Sequence, residues 1–183
     1  LGRPEEPGTD VRVIVRAFHL PDQHPEPVVL EAERRAAQVL DAREIARRAD
    51  LRALPTVTID GETARDFDDA ISVEPLGDGR IRLHVHIADV AAHVVEGTPL
   101  DAEAFARATS VYFPDRAIHM LPEALSAGAC SLREGEDRLA MTASLDFDRD
   151  GNVLSQRFCE SVIRSDKRMT YTQMKRIVVD RDE

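Results

Sequence analysis

From Arg80 to Val90 the chain reads RIRLHVHIADV, with Ile81, Leu83, Val85 and Ile87 on one parity and Arg82, His84 and His86 on the other. Strict alternation of this kind predicts a strand. AISVE (70–74) lies just upstream, and the intervening PLGDG offers Gly77 and Asp78-Gly79 as the turn of a hairpin. RLAMTASLDFD and NVLSQRFCESVIRS predict a second hairpin around Arg149-Asp150-Gly151. TVTID (56–60) predicts a short strand with Asp60 at its tip, and DVRVIVRAF (10–18) alternates well enough to predict another. Helical spacing runs through VVLEAERRAAQVLDAREIARRA (28–49), with a break near Asp41. Thr98-Pro99 reads as an N-cap followed by proline at the first helical position, so 99–108 should be a helix. A short helix is expected from Pro122 to Gly128, and a last one from near Thr172. LPDQHPEP (20–27) reads as a loop, and residues 1–9, rich in Pro, Gly and Glu, as a linker. The fold class this predicts is α+β: a mixed, mostly antiparallel sheet with flanking helices, not a series of βαβ units.

Composition narrows the function classes. The 183 residues suffice for one domain, or for part of a larger one, and the opening Leu1 suggests an excised piece. No run is long enough to span a membrane and no apolar signal segment opens the chain. Cys130 and Cys159 show no CxxC spacing and are expected to be buried, reduced thiols, which suits a cytoplasmic protein. The net charge of −10 argues against a simple basic nucleic-acid glove. Its distribution is uneven: residues 60–150 hold eight Lys/Arg against nineteen Asp/Glu, whereas 151–183 hold seven against five. Of the 24 basic residues 22 are arginine, which fits phosphate recognition and equally fits a coding bias. The arginines of 28–49 (Arg34, Arg35, Arg43, Arg47 and Arg48) read as a solvated face, with an RNA-contacting stripe as the alternative.

The excess acid centres on TIDGETARDFDDA (58–70), where Asp60, Asp66, Asp68 and Asp69 fall within ten positions. Two ionised carboxylates about 5 Å apart repel by roughly 3 kcal/mol at an effective dielectric near 20. Either such side chains spread into water or a cation holds them. Apolar β-type runs flank the cluster on both sides, which sets it near a core and favours the cation. Hard ions such as Mg²⁺ take carboxylate oxygens, water and substrate phosphate as ligands. Two of them about 4 Å apart can drive phosphodiester cleavage. Gly61 permits the turn, Arg65 lies inside the loop, and adjacent Asp68 and Asp69 point in different directions if extended.

Competing patterns fit less well. DFDD matches the proton-donor motif of terpene cyclases, but those are helical enzymes. A haloacid-dehalogenase signature needs its acidic pair directly after an apolar strand, and here ETAR intervenes. DFDRDGN (146–152) opens like an EF-hand loop, but Arg157 stands where a bidentate glutamate is needed, so a hairpin turn is the better reading. His84 and His86 share a strand face without a third zinc ligand at suitable spacing. Asp89 reads as a strand-end hydrogen-bond acceptor. Tyr112, between Val111 and Phe113, reads from its neighbours alone as a core residue.

Several longer blocks carry a family resemblance: ADLRALPTVTIDGETARDFDDAI (49–71), RLHVHIADVAAHV (82–94), LDAEAFARATSVYFPDRAIHMLPEALSAGACSL (100–132), EDRLAM (136–141) and ESVIRSDKRMTY (160–171). In order and spacing they resemble the RNB-domain family of RNase R / RNase II exoribonucleases, closer to RNase R. The resemblance runs from about residue 28 to the end. It implies a 3′→5′ hydrolytic exoribonuclease that degrades single-stranded RNA processively to nucleoside 5′-monophosphates with Mg²⁺, two ions during catalysis, Mn²⁺ being an acceptable substitute. It further implies Asp60 and Asp69 as ligands of the first metal, Asp68 as a holder of the second, and Asp66 as a ligand or supporting carboxylate. Tyr112 would lie near the 3′-terminal nucleotide and Tyr171 in the RNA channel. Residues 1–27 would be the exit from a preceding cold-shock-type RNA-binding domain, and the parent protein a monomer. A catalytic arginine and a glutamate tied to RNA selectivity are expected downstream of Glu183, so the chain reads as roughly the first half of a catalytic domain. A rival reading is a non-catalytic RNA- or protein-binding module on the same fold. Two departures from the family pattern, Ala91-Ala92-His93 and His119, are expected to lie away from the aspartates.

Overall fold

The computed structural model describes residues 8–114 and 116–181. In chain order it contains helices α1 (Thr9–Ala17), α2 (Glu26–Ala36) and α3 (Ala42–Arg47), then strands β1 (Ala49–Asp50), β2 (Thr56–Asp60), β3 (Asp69–Gly77) and β4 (Arg80–Ala88). Helix α4 (Pro99–Arg107) follows, with the small strands β5 (Val111–Tyr112) and β6 (Ala117–Ile118). The long strands β7 (Asp137–Phe147) and β8 (Val153–Arg164) come next, then β9 (Lys167–Thr170) and helix α5 (Tyr171–Lys175), which runs on into a wide helical turn at Arg176–Asp180. Seven strands form one sheet in the order β1-β8-β7-β4-β3-β2-β9. Its centre is antiparallel, while β1 on β8 and β9 on β2 are parallel. The α+β expectation holds.

Local chemistry explains most boundaries. Positive φ at Gly77 (80°), Asp78 (53°) and Gly79 (75°) closes the β3–β4 hairpin. In the β7–β8 turn the Asp148 carboxylate accepts from the N–H groups of Asp150 (2.9 Å) and Asn152 (2.8 Å), so DFDRDGN is a turn closed on itself. Asp41 caps α3 by accepting from Arg43 N–H at 2.9 Å, which accounts for the break between α2 and α3. Thr98 caps α4, with Pro99 in the first turn. Thr170 and Gln173 form a capping box at α5. The stretch from Pro122 to Gly128 becomes a wide helical turn over Ala124–Ala129, interrupted by a non-helical backbone at Gly128.

The expected strand at 10–18 is a correction to the sequence reading: all of it but Phe18 lies in α1 (Thr9–Ala17). Val11 and Val15 satisfy i, i+4 spacing as well as alternation, and Val11 is buried. The first seven residues of the expected linker lie outside the described residues.

The core lies on one face of the sheet. Val28 and Ala32 of α2, Leu100 of α4, and Leu121, Leu125, Cys130 and Leu132 pack on Ala70, Ala88, Ala140 and Ile163. Buried Glu31 joins two of these helices by accepting from Leu100 N–H at 3.1 Å. Farther along the same face the filling is polar. Thr56, Ser72, His86, Thr142 and Ser161 are buried and linked hydroxyl to imidazole to hydroxyl across five strands. His84 stacks on His86 with parallel rings 5.9 Å apart and bonds Ser144 and Glu74. The apolar set of β4 faces outward, with Ile81 41% and Ile87 47% exposed.

Two further expectations change. Arg48 is buried, not solvated; it donates to Asp89 at 2.6 Å and to Glu44, as Asp89's acceptor role anticipates. Cys130 is a buried thiol, as expected, whereas Cys159 is only half-buried.

Candidate active site

Asp60 ends β2 and Asp69 begins β3, so the loop between these neighbouring strands carries Asp66 and Asp68 back toward Asp60. Backbone bonds hold this loop without help from the carboxylates. Phe67 N–H donates to Ser131 Oγ (3.1 Å), Ser131 Oγ donates to Arg65 O (2.9 Å), and Leu132 N–H donates to Phe67 O (2.9 Å). On the other side Ala88 N–H donates to Asp68 O at 2.9 Å. Ser131 is fully buried, which makes the anchor stiff. The main chain that carries the four aspartates is thereby fixed from two directions.

Their charges act on one another. Burial raises the pKa of Asp60, and Asp69 adds to the rise while Arg168 opposes it. Asp68 opens onto the cleft, but the crowded protein around it raises its pKa, with Asp66 and Asp69 contributing. Asp60 Oδ2 is buried and has no hydrogen-bond partner. Asp66 and Asp68 line a cavity of about 250 Å³ together with Ile87, Ser110, Met120 and Cys130.

The β5–β6 hairpin closes over Asp66. Tyr112 is 65% exposed, which overturns the core reading of that residue, and its hydroxyl donates to Asp66 Oδ2 at 2.9 Å. Tyr171 is 63% exposed and follows Thr170, the register partner of Asp60. Tyr112 thus touches the acidic loop, and exposed Tyr171 stands one residue past the strand pair that ends at Asp60.

All-oxygen, carboxylate-rich chemistry is what a hard divalent ion takes, and the partnerless oxygen of Asp60 gives it a buried ligand atom. Among the described residues no group of three or more His, Cys, Asp or Glu side chains is placed to hold a metal ion without further ligands. The residues fit an ion such as Mg²⁺, which keeps several waters and needs only a few carboxylates.

Comparison with known proteins gives the family of the chain. An RNB domain model matches residues 48–183. The chain belongs to the RNB domain family. Ribonuclease R of Aquifex aeolicus is 48% identical over 98% of this chain and 25% of its own length. Ribonuclease R of Thermotoga maritima is 47% identical over 98% of this chain and 26% of its own length. The chain thus spans about a quarter of these relatives. Among solved structures, Mycoplasma genitalium RNase R in complex with double-stranded RNA superposes with a TM-score of 0.91 at 30% identity, covering 100% of this chain and 32% of that one. Yeast Ssd1, described as a pseudonuclease, shares the fold alone, with a TM-score of 0.82 at 20% identity over 98% of this chain and 23% of that one.

Two residues beside the RNB cluster escaped the sequence reading. His119 was expected to stand apart, yet its Nδ1 lies 3.7 Å from Asp66 Oδ2. The short β5–β6 pairing carries it there, and no local pattern encodes that contact. Arg168 reaches the loop from β9 through Gly61 O and the Phe67 ring. Its place in ESVIRSDKRMTY, a block of the family resemblance, was the available signal.

Proposed function

We propose that this chain is the carboxylate-bearing part of a 3′→5′ exoribonuclease that hydrolyses single-stranded RNA processively to nucleoside 5′-monophosphates with Mg²⁺. The observation that carries the reading is the gathering of Asp60, Asp66, Asp68 and Asp69 on one anchored loop in a chain of the RNB family. Asp60, Asp68 and Asp69 would hold the cations, with Asp66 as a ligand or supporting carboxylate. Bound Mg²⁺ supplies Lewis acidity and lowers the pKa of water, the chemistry phosphodiester hydrolysis requires. The exposed rings of Tyr112 and Tyr171 would stack on bases, a contact worth about 1–3 kcal/mol per base and indifferent to sequence. The fixed loop holds the acidic groups in place before RNA arrives, so little reorganisation accompanies binding.

The test follows 3′-labelled and 5′-labelled single-stranded RNA in Mg²⁺ with the complete product of the gene, beside its Asp68→Asn variant. The expected result is immediate release of labelled mononucleotide from the 3′-labelled strand, reduced by about 10³-fold or more in the variant, the scale on which charge-stabilising groups matter. RNA binding without mononucleotide release would favour the rival reading, a non-catalytic binding module on the same fold.

A further inference from the structure

Arg168 has no part in the function just proposed, yet its side chain lies under the acidic loop. It pairs in register with Thr58, two residues before the Asp60–Thr170 pair. Its Nη2 donates to Gly61 O at 2.5 Å, and its guanidinium carbon lies 5.6 Å from the centre of the Phe67 ring. Its backbone N–H donates to Glu134 Oε2 at 3.0 Å, which steadies β9 itself. Nε is buried without a partner, so the group is held by its other contacts. Gly61 directly follows Asp60, and Phe67 directly precedes Asp68. One planar cation therefore touches both limbs of the loop at the residues next to the carboxylates.

Four like charges on one short loop repel one another and push it open. The hydrogen bond to Gly61 and the packing on Phe67 act against that opening. A guanidinium can donate from its edge while its face packs on a ring; an ammonium offers a point charge without the planar face.

We propose that Arg168 is a positioning residue, spanning the loop from Gly61 to Phe67 so that Asp60, Asp68 and Asp69 are presented together to a divalent cation. The proposal rests on the metal reading above. The simpler alternative makes Arg168 a counter-charge for the aspartates. The two predict opposite signs: a counter-charge repels an incoming cation, so removing it tightens binding, whereas losing a positioning residue weakens it.

The experiment measures Mn²⁺ uptake by calorimetry for the complete product of the gene and for its Arg168→Gln and Arg168→Lys variants. In parallel, amide hydrogen exchange is followed without metal. Both variants should bind Mn²⁺ about 10–100-fold more weakly, the usual cost of losing a group that orients metal ligands. The amides of Ala64 and Phe67 should exchange faster, with the β4–β7 ladder unchanged. Tighter or equal Mn²⁺ binding by Arg168→Gln overturns the proposal, and so does unaltered loop exchange. If the wild type takes up no Mn²⁺ while loop exchange still differs, the metal reading is overturned and the spanning role of Arg168 stands.

Discussion

At Asp66 two side chains approach one carboxylate oxygen: the Tyr112 hydroxyl at 2.9 Å and the His119 ring at 3.7 Å. Tyr112 thus has two capacities, a donor aimed at the acidic loop and an exposed ring face, and substitution separates them. Tyr112→Phe keeps the ring and should leave single-stranded RNA affinity within about threefold, since the hydroxyl it removes bonds Asp66 and the base would stack on the ring. Tyr112→Ala should weaken binding by about 1–3 kcal/mol, the value of one base stack. Fluorescence anisotropy with a labelled oligonucleotide reads both. Equal losses would mean that the contact with Asp66, not the ring, matters for binding. The four aspartates were legible in the sequence because they are close along it. Tyr112 on Asp66 was not, since the contact joins residues 46 apart.

At the scale of elements, β4 carries the most instructive reversal. Its alternation was legible, but a period of two says only which residues share a face. His84 and His86 go inside, where hydroxyls from β3 and β7 and the Glu74 carboxylate partner their ring nitrogens, and Ile81 and Ile87 go outside. Burial, with a smaller contribution from His84, pushes the pKa of His86 down to about 4. A histidine in the unfolded chain takes up its proton near 6.5. The fold needs the neutral ring, so this stability is full above about pH 6.5 and is lost as the pH falls toward 4. The loss should reach on the order of 3 kcal/mol, readable as a falling melting temperature between those limits. The His86 ring resonances should show no titration above about pH 5; a midpoint near 6.5 would refute the account. Helix α1 makes the same point from the other side, because its valines fit both periods and the choice of helix is not made by alternation.

Across the whole molecule, the outward face of the sheet is apolar and uncovered in this chain. Val73, Ile81, Ile87, Met141 and Phe158 are all exposed there, and the β4–β7 register sets Ile87 beside Met141. A patch of this kind binds apolar probes and promotes association. The chain should enhance the fluorescence of an anilinonaphthalene dye at neutral pH while still melting cooperatively. The double variant Ile87→Thr, Phe158→Ser should remove most of that signal and shift stability by no more than about 1 kcal/mol, since both side chains face solvent. Undiminished dye binding would locate the apolar surface elsewhere. By itself the sequence determined the two long hairpins, the break at Asp41, the helix cap at Thr98, a last helix near Thr172, the family and the acidic loop, because turn chemistry, capping and periodicity act over a few neighbouring residues. The tertiary structure alone decided that the histidines of β4 are inside, that α1 is a helix, that Tyr112 and His119 meet Asp66, and that Arg168 meets the acidic loop at Gly61 and Phe67. Burial and contact depend on which distant segments arrive to cover a face, and spacing along the chain does not carry that information.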